Sequence, residues 1–356
     1  MLAGLCRFVL YMHPRFPSLA LAGLLALPPF VFTFPAEGAA PPQAEVVATL
    51  AAPVMQRDAS GNVMLSCATS GAVIRYSLDG VEPGPKTGPY LAPIVLPAGG
   101  TVKARAFSED RKQMSELAET KFEPLPGAAA QPSTLVPCTQ DRDWPVYDWA
   151  VRHAAVTKIA TERKASLVFI GDSITQMFGG EPHDRPQSGK DVWEQYYGQR
   201  NAANLGFGYD FVENTLWRLR HGELDGAAAK VVVIHIGTNN VSRNPPEEIA
   251  AGIRAICAEV HQRQPGAKTV LMAIFPRGPK PDATRAKLES INQLIAALDG
   301  KDGITFLDIG TKFLEPDGSI ARETMGDVLH PTAKGYEIWA RELEPVLNKL
   351  LGETKP

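Results

Sequence analysis

The chain has 356 residues, enough for two domains, and its 44% apolar content is that of a folded globular protein. Its 36 Lys and Arg against 39 Asp and Glu leave a net charge of -3 with no long basic run, which argues against nucleic acid or an anionic membrane surface as partner. Four cysteines are too few for a disulfide scaffold, and no Cys/His spacing of a metal site occurs.

Arg7, His13 and Arg15 precede an apolar run from Leu19 to Phe34, and Ala36, Gly38, Ala39 and Ala40 follow it. Residues 1–40 therefore read as a secretory signal peptide, with Met12 as an alternative initiator and a secreted or periplasmic product. Pro28-Pro29 and the shortness of the run argue against a spanning helix, so no stable membrane insertion is expected after cleavage; an uncleaved anchor is the alternative. With Cys6 removed, Cys67, Cys138 and Cys257 remain. Cys67, in a strand pattern, and Cys257, in a helical one, read as small buried apolar residues.

Residues 41–123 carry short strand patterns, at Val63–Ala68, Ala72–Ser77, Ile94–Leu96 and Thr101–Phe107, separated by Gly- and Pro-rich turns. This spacing predicts a small β-sandwich, and it holds no catalytic constellation. Residues 124–139 lack periodicity and read as a linker.

From residue 140 to 356 helical and strand patterns alternate. The strands are Leu167–Ile170, Ala202–Leu205, Val231–Ile236, Thr269–Phe275 and Ile304–Ile309. Helices are predicted over Asp148–Arg163, Val192–Gln199, Phe211–Leu224, Pro246–Gln262, Thr284–Leu298 and Thr332–Leu351. Continuously apolar strands alternating with helices predict a five-stranded parallel sheet covered on both faces. In such a sheet the ligand site lies beyond the carboxyl ends of the strands.

The polar residues at those ends converge. The first strand runs into Gly171-Asp172-Ser173, where a helix start favours developing negative charge. Thr175 stands where the Gly-x-Ser-x-Gly elbow would have its second glycine. The second strand ends at Gly206, the third at Gly237-Thr238-Asn239-Asn240, and a late loop carries Asp327-Val-Leu-His330-Pro331. Ser173 needs a base, which His330 can be, and the imidazole needs an orienting carboxylate, which Asp327 can supply. The backbone N–H groups of Ser173 and Gly206 and the amide of Asn239 are the candidate oxyanion donors. Arg277 and His183 are further candidates for touching substrate, a structural ion pair being the rival role for Arg277. His235 reads as a packed histidine, His153, His221 and His261 as surface residues, Asp172 as a turn-shaping side chain, and Trp193, Tyr196 and Tyr197 as core. Glu247-Glu248 belongs to a helix's first turn.

Gly171-Asp-Ser-Ile-Thr175, Gly206, Gly237-Thr-Asn-Asn240 and Asp327-x-x-His330 together resemble, in order, the blocks of the SGNH, or GDSL-type, hydrolase superfamily. Asn240 replaces the aspartate more usual in the third block. The resemblance implies a flavodoxin-like three-layer α/β/α fold and a Ser-His-Asp esterase without metal or cofactor. The stretches Asn204–Arg220, His221-Gly-Glu-Leu-Asp225 and Phe275-Pro-Arg-Gly278 are similar to the catalytic subunits of platelet-activating-factor acetylhydrolase Ib. That likeness implies a small acyl group, acetyl by preference, and hints at a homodimer. Ile74–Pro83, Gly88-Pro-Tyr90 and Val102–Phe107 resemble the immunoglobulin-like C-terminal module of chitobiases and β-hexosaminidases, for which a spacer or packing role is favoured over carbohydrate binding. The sequence thus reads as a secreted serine esterase acting on O-acetyl groups of carbohydrate. A lipid acetylhydrolase and a non-catalytic glycan-binding protein on a hydrolase scaffold are the alternatives.

Overall fold

Residues 50–353 other than Trp144 are described by a computed structural model, and the signal-peptide reading of residues 1–40 lies outside them. The first part is all β. Strands β1 (Val54–Arg57), β2 (Asn62–Ser66) and β4 (Ile94–Val95) form one antiparallel sheet; β3 (Val73–Ser77), β5 (Gly100–Phe107) and β6 (Ala118–Phe122) form the other. In β5 alternate residues are buried, the period of a half-covered strand, so Val102 and Ala104 meet Val63, Leu65, Tyr76 and Ile94 in a small shared core. Strands β1 and β6 escaped the sequence reading because both are sheet edges with mostly half-buried or exposed side chains.

The stretch expected to be a linker is docked at both its ends, on either side of a mostly exposed middle. Leu125 donates its N–H to Pro97 O (2.9 Å), and Ser133–Leu135 form one 3-10 turn. There Thr134 is buried and donates to Glu248 O (2.7 Å), while Asn244 donates to Ser133 Oγ (2.8 Å). Thr139 donates to Tyr76 O (3.2 Å), Gly84 N–H to Asp141 Oδ2 (3.0 Å), and Arg142 and Arg111 pair with Asp79 and Asp148. The β module and the rest of the described chain are therefore one compact unit.

The second part runs α1 (Trp149–Glu162), β7 (Leu167–Gly171), α2 (Ser173–Gln176), α3 (Lys190–Tyr197), β8 (Ala202–Gly206), α4 (Val212–Arg220), β9 (Val231–His235), α5 (Pro246–Arg263), β10 (Lys268–Met272), α6 (Ala283–Ala296), β11 (Ile304–Leu307) and α7 (Ala333–Leu351). The five strands are parallel, in the order β11-β10-β9-β7-β8. Val168 and Ile170 of β7 face a core shared with α1, α4, α5 and α6; Leu167 and Phe169 face one shared with α3 and α7. The result is the three-layer α/β/α arrangement of the SGNH fold. Strand order reverses between β7 and β9, which by the rule for parallel sheets puts the ligand crevice beyond their carboxyl ends. Among the described residues no helix is long and apolar enough to cross a membrane.

Candidate active site

Strand β7 delivers Ser173 to that crevice. A Cβ on Gly171 would lie 2.1 Å from Thr175 Oγ1 and 2.3 Å from His235 O, so only glycine permits the turn. Asp172 caps α2 by accepting the Ile174 N–H (2.9 Å), and Ser173 is its first residue. Ser173 Oγ lies 2.8 Å from His330 Nε2, and His330 Nδ1 lies 2.7 Å from Asp327 Oδ2. The other Asp327 oxygen accepts the N–H groups of His330 (2.7 Å) and Leu329 (3.1 Å). Partial burial alone would raise the Asp327 carboxyl, but these bonds outweigh it and hold it below the usual carboxylate range. Between them Val328 sits at φ 60°, a left-handed conformation that a β-branched residue seldom adopts. It is pinned by bonds from its own N–H to Met325 O (3.0 Å) and from Gly278 N–H to its carbonyl (2.8 Å).

The oxyanion donors require one correction. The Gly206 N–H is already bonded to Asn204 Oδ1 (2.8 Å) and does not face a substrate. What approaches Gly206 closely is the backbone of α2: a Cβ there would lie 2.2 Å from Gln176 N. Further along the same loop, Gly208 N–H is taken by Gln176 Oε1 (2.7 Å) and Asp210 N–H by Phe207 O (3.1 Å). The Tyr209 N–H has no acceptor among the described residues, nor has that of Ser173. Tyr209 adopts φ 61°. Asn239 donates one amide hydrogen to Asp210 O (2.9 Å), which leaves its other one available. The candidate donors are thus Ser173, Tyr209 and Asn239.

Beneath this loop lies a buried ionic cluster that the sequence reading missed. Arg218 donates to Asp210 Oδ2 (2.8 Å) and pairs with Glu223, its guanidinium 3.9 Å from the centre of the Phe207 ring. Asp210 Oδ1 also accepts from Gln140 (2.9 Å) and Trp149 Nε1 (2.8 Å). All these partners hold the residue whose carbonyl orients Asn239. Asn240 is fully buried and accepts the first N–H of α4 from Val212 (2.9 Å), so its change from aspartate stays within the scaffold.

Of the remaining candidates, Arg277 reaches Thr238 O and Oγ1 (both 3.3 Å), makes no ion pair among the described residues, and lines an open cavity of about 520 Å³ with Tyr209 and Asn239. His183 is exposed, bonded to Gln187 (2.9 Å), and does not line that cavity. His235 is buried, accepts from Phe275 N–H (3.3 Å) and is pushed by burial to about 3, so it stays neutral. His153 and His221 are not surface residues: His153 packs between Trp149 and Trp217, and His221 stacks on Trp217 at 3.7 Å. His261 is exposed, whereas Trp193 and Tyr197 are core.

The profile of the GDSL-like lipase/acylhydrolase family matches residues 169–338. The platelet-activating factor acetylhydrolase IB subunit alpha2 of Rattus norvegicus is 34% identical over 207 residues, spanning 58% of this chain and 86% of that protein. The alpha1 subunit of Homo sapiens is likewise 34% identical over 206 residues, spanning 58% and 85%. The chain is a GDSL-like acylhydrolase. As a member of that family it is a carboxylic ester hydrolase. Residues 56–119 of this acylhydrolase match the chitobiase/β-hexosaminidase C-terminal domain. Among solved structures it is similar to a GDSL-like lipase from Bacteroides thetaiotaomicron, with 19% identity and a TM-score of 0.45 over 56% of this chain and 96% of that one.

Proposed function

We propose that Ser173, His330 and Asp327 are the catalytic triad of an esterase that removes acetyl groups, with O-acetylated carbohydrate as the substrate class. The observation that carries the reading is the pair of hydrogen bonds, 2.8 Å from Ser173 Oγ to His330 and 2.7 Å from His330 to Asp327, at the carboxyl edge of a parallel sheet. In this reading His330 Nε2 takes the serine proton as Oγ attacks the ester carbonyl, and the Asp327 carboxylate stabilises the imidazolium. The oxyanion is met by the free N–H groups of Ser173 and Tyr209 and by Asn239. Collapse passes the proton to the leaving alcohol and leaves an acetyl-serine. Water, deprotonated by the same histidine, then releases acetate and restores Ser173.

An acetyl donor is supported by the acetylhydrolase relatives. Carbohydrate as the alcohol is supported by the glycosidase-associated module docked on the α/β body and by the export signal read in residues 1–40. A second reading, a lipid acetylhydrolase, is favoured by the relatives' names alone. Ser173→Ala should abolish hydrolysis of p-nitrophenyl acetate and labelling by a fluorophosphonate while the circular dichroism spectrum is kept; undiminished turnover would sink the triad. Acetate release from acetylated xylan, set against release from an acetylated phospholipid, separates the two substrates.

A further inference from the structure

The cavity beside Asn239 is lopsided in charge. Among the described residues that line it are two cations, Arg277 and Lys287, and no carboxylate. Both side chains are half-buried, and neither makes an ion pair with an acid among the described residues. Arg277 spends one nitrogen on the neutral oxygens of Thr238, and Lys287 Nζ spends one hydrogen on Val241 O (2.6 Å). The rest of the guanidinium fork and two ammonium hydrogens have no acceptor among the described residues, although both groups must hold their charge partly out of water. The walls between them are neutral hydroxyls, Thr238, Ser242 and Thr284, and the aromatic rings of Tyr209 and Phe211. Such a wall can hydrogen-bond a polyhydroxylated or ester-bearing ligand but cannot neutralise the two cations. A ligand that brings its own negative charge does so, through charge-assisted bonds to a planar fork and a mobile ammonium.

Among the described acids, buried Asp172 is close enough to Arg277 to feel its charge, but it accepts the Ile174 N–H and makes no ion pair with the guanidinium. Arg142 and Arg243 lie against the Phe211 ring at 4.1 and 4.6 Å and are paired with Asp79 and Glu213. Glu289, the nearest acid in sequence to Lys287, lines a different cavity together with Arg285, and Asp282 is committed to capping α6 through the Arg285 N–H (2.9 Å).

We infer that the alcohol part of the substrate is anionic, carrying a carboxylate or phosphate that Arg277 and Lys287 hold while its acetyl ester lies against Ser173. The inference rests on the esterase reading above and narrows it. The shared chemistry is a single oxyanion within reach of the acetylated oxygen; an acidic sugar residue and a phosphorylated glycerol backbone are its two sources.

The test uses matched pairs differing only in charge: acetylated methyl glucuronoside against acetylated methyl glucoside, and acetylglycerol phosphate against acetylglycerol. The full chain should hydrolyse the anionic member of at least one pair with a kcat/KM about tenfold or more above its neutral partner, the worth of one charge-assisted hydrogen bond. The preference should reside in KM, shrink with added salt, and collapse in both Arg277→Gln and Lys287→Gln; in Lys287→Glu the neutral member should become the better substrate. Because each variant is compared across its own pair, a general loss of activity leaves the ratio readable, and Lys287→Gln serves if Arg277→Gln does not fold. Preference in the sugar pair assigns an acidic glycan, and preference in the glycerol pair a phosphorylated lipid. No preference in either pair, or one that survives in both glutamine variants, overturns the inference while p-nitrophenyl acetate turnover upholds the esterase. Failure on p-nitrophenyl acetate as well overturns both.

Discussion

Tyr336 Oη donates to the main-chain carbonyl of Ile174 at 2.7 Å, tying the helix that follows His330 to the turn that carries Ser173. Both residues are buried, so Tyr336→Phe strands a carbonyl away from water. The expected cost is about 1–3 kcal/mol in urea denaturation. Since the lost bond registers nucleophile against base, kcat for p-nitrophenyl acetate should fall with it, and KM should move little. A variant with lower stability and unchanged kcat would show that the helix and the turn are held in register by other contacts.

Gly206 is argued above to make room for α2 rather than to donate to an oxyanion. Gly206→Ala keeps the N–H, so a purely electrostatic role would survive the change. The new Cβ meets the backbone of Thr175 and Gln176, which cannot swing aside. Destabilisation of about 3 kcal/mol is expected from such overpacking, measured by denaturant midpoint, together with loss of activity as Ser173 is displaced. Near-native stability would show that α2 can give way to a side chain here and overturn the steric role.

Asp327→Asn removes the charge that stabilises a protonated His330 while keeping size. By analogy with triads in which this change leaves the geometry intact, kcat should drop by about 10²- to 10⁴-fold. Because the carboxyl is held below its usual range, folding gains from it above pH 3.8 and loses that gain only as pH falls through the lower folded value. Wild type and variant should therefore differ in stability at pH 6 and converge in strong acid, which paired denaturation curves will read.

Asp172 points the other way. Full burial, only partly offset by the Ile174 N–H, pushes it up to about 7 from 3.8, and its Oδ2 has no partner among the described residues. Between those values the folded chain keeps a proton that the unfolded chain releases, so this group makes stability fall as pH rises from about 4 to 7. Asp172→Asn, an equally good cap, should flatten that slope, with a gain at pH 7 of up to about 4 kcal/mol over wild type and none at pH 4. His153, lowered to about 4 by burial, contributes the opposite slope below pH 6.5, so the comparison must be between variant and wild type at each pH.

What could be read from the sequence followed from which interactions leave a pattern in it. Val231–Ile234 is buried on both faces, so its strand was visible as an unbroken apolar run. Edge strands β1 and β6 carry no such run. Ser173, Asp327 and His330 were legible because turn chemistry and short spacing expose them. Gly206 announced a close approach but not of what, and the free N–H at Tyr209 is a backbone property that no side chain advertises. Asp210 and Arg218 look in the sequence like the polar face of a helix; only the fold shows that each is the other's solvent. His153 and His221 were misjudged because Trp149 and Trp217, each four residues upstream, stack over them, and Trp217 also closes over His153 from a second helix.

The docked stretch between the β module and the α/β body changes what cutting the chain would do. Thr134 is anchored on α5 and Asn214 on α4 bonds the carbonyl of Cys138 (2.9 Å), while Arg142 and Thr139 reach across to Asp79 and Tyr76. A protease that nicked the exposed tip near Gly127–Ala130 would break the covalent path and leave these bonds in place. The two fragments would migrate together on a sizing column and melt in one transition, and only denaturant would part them.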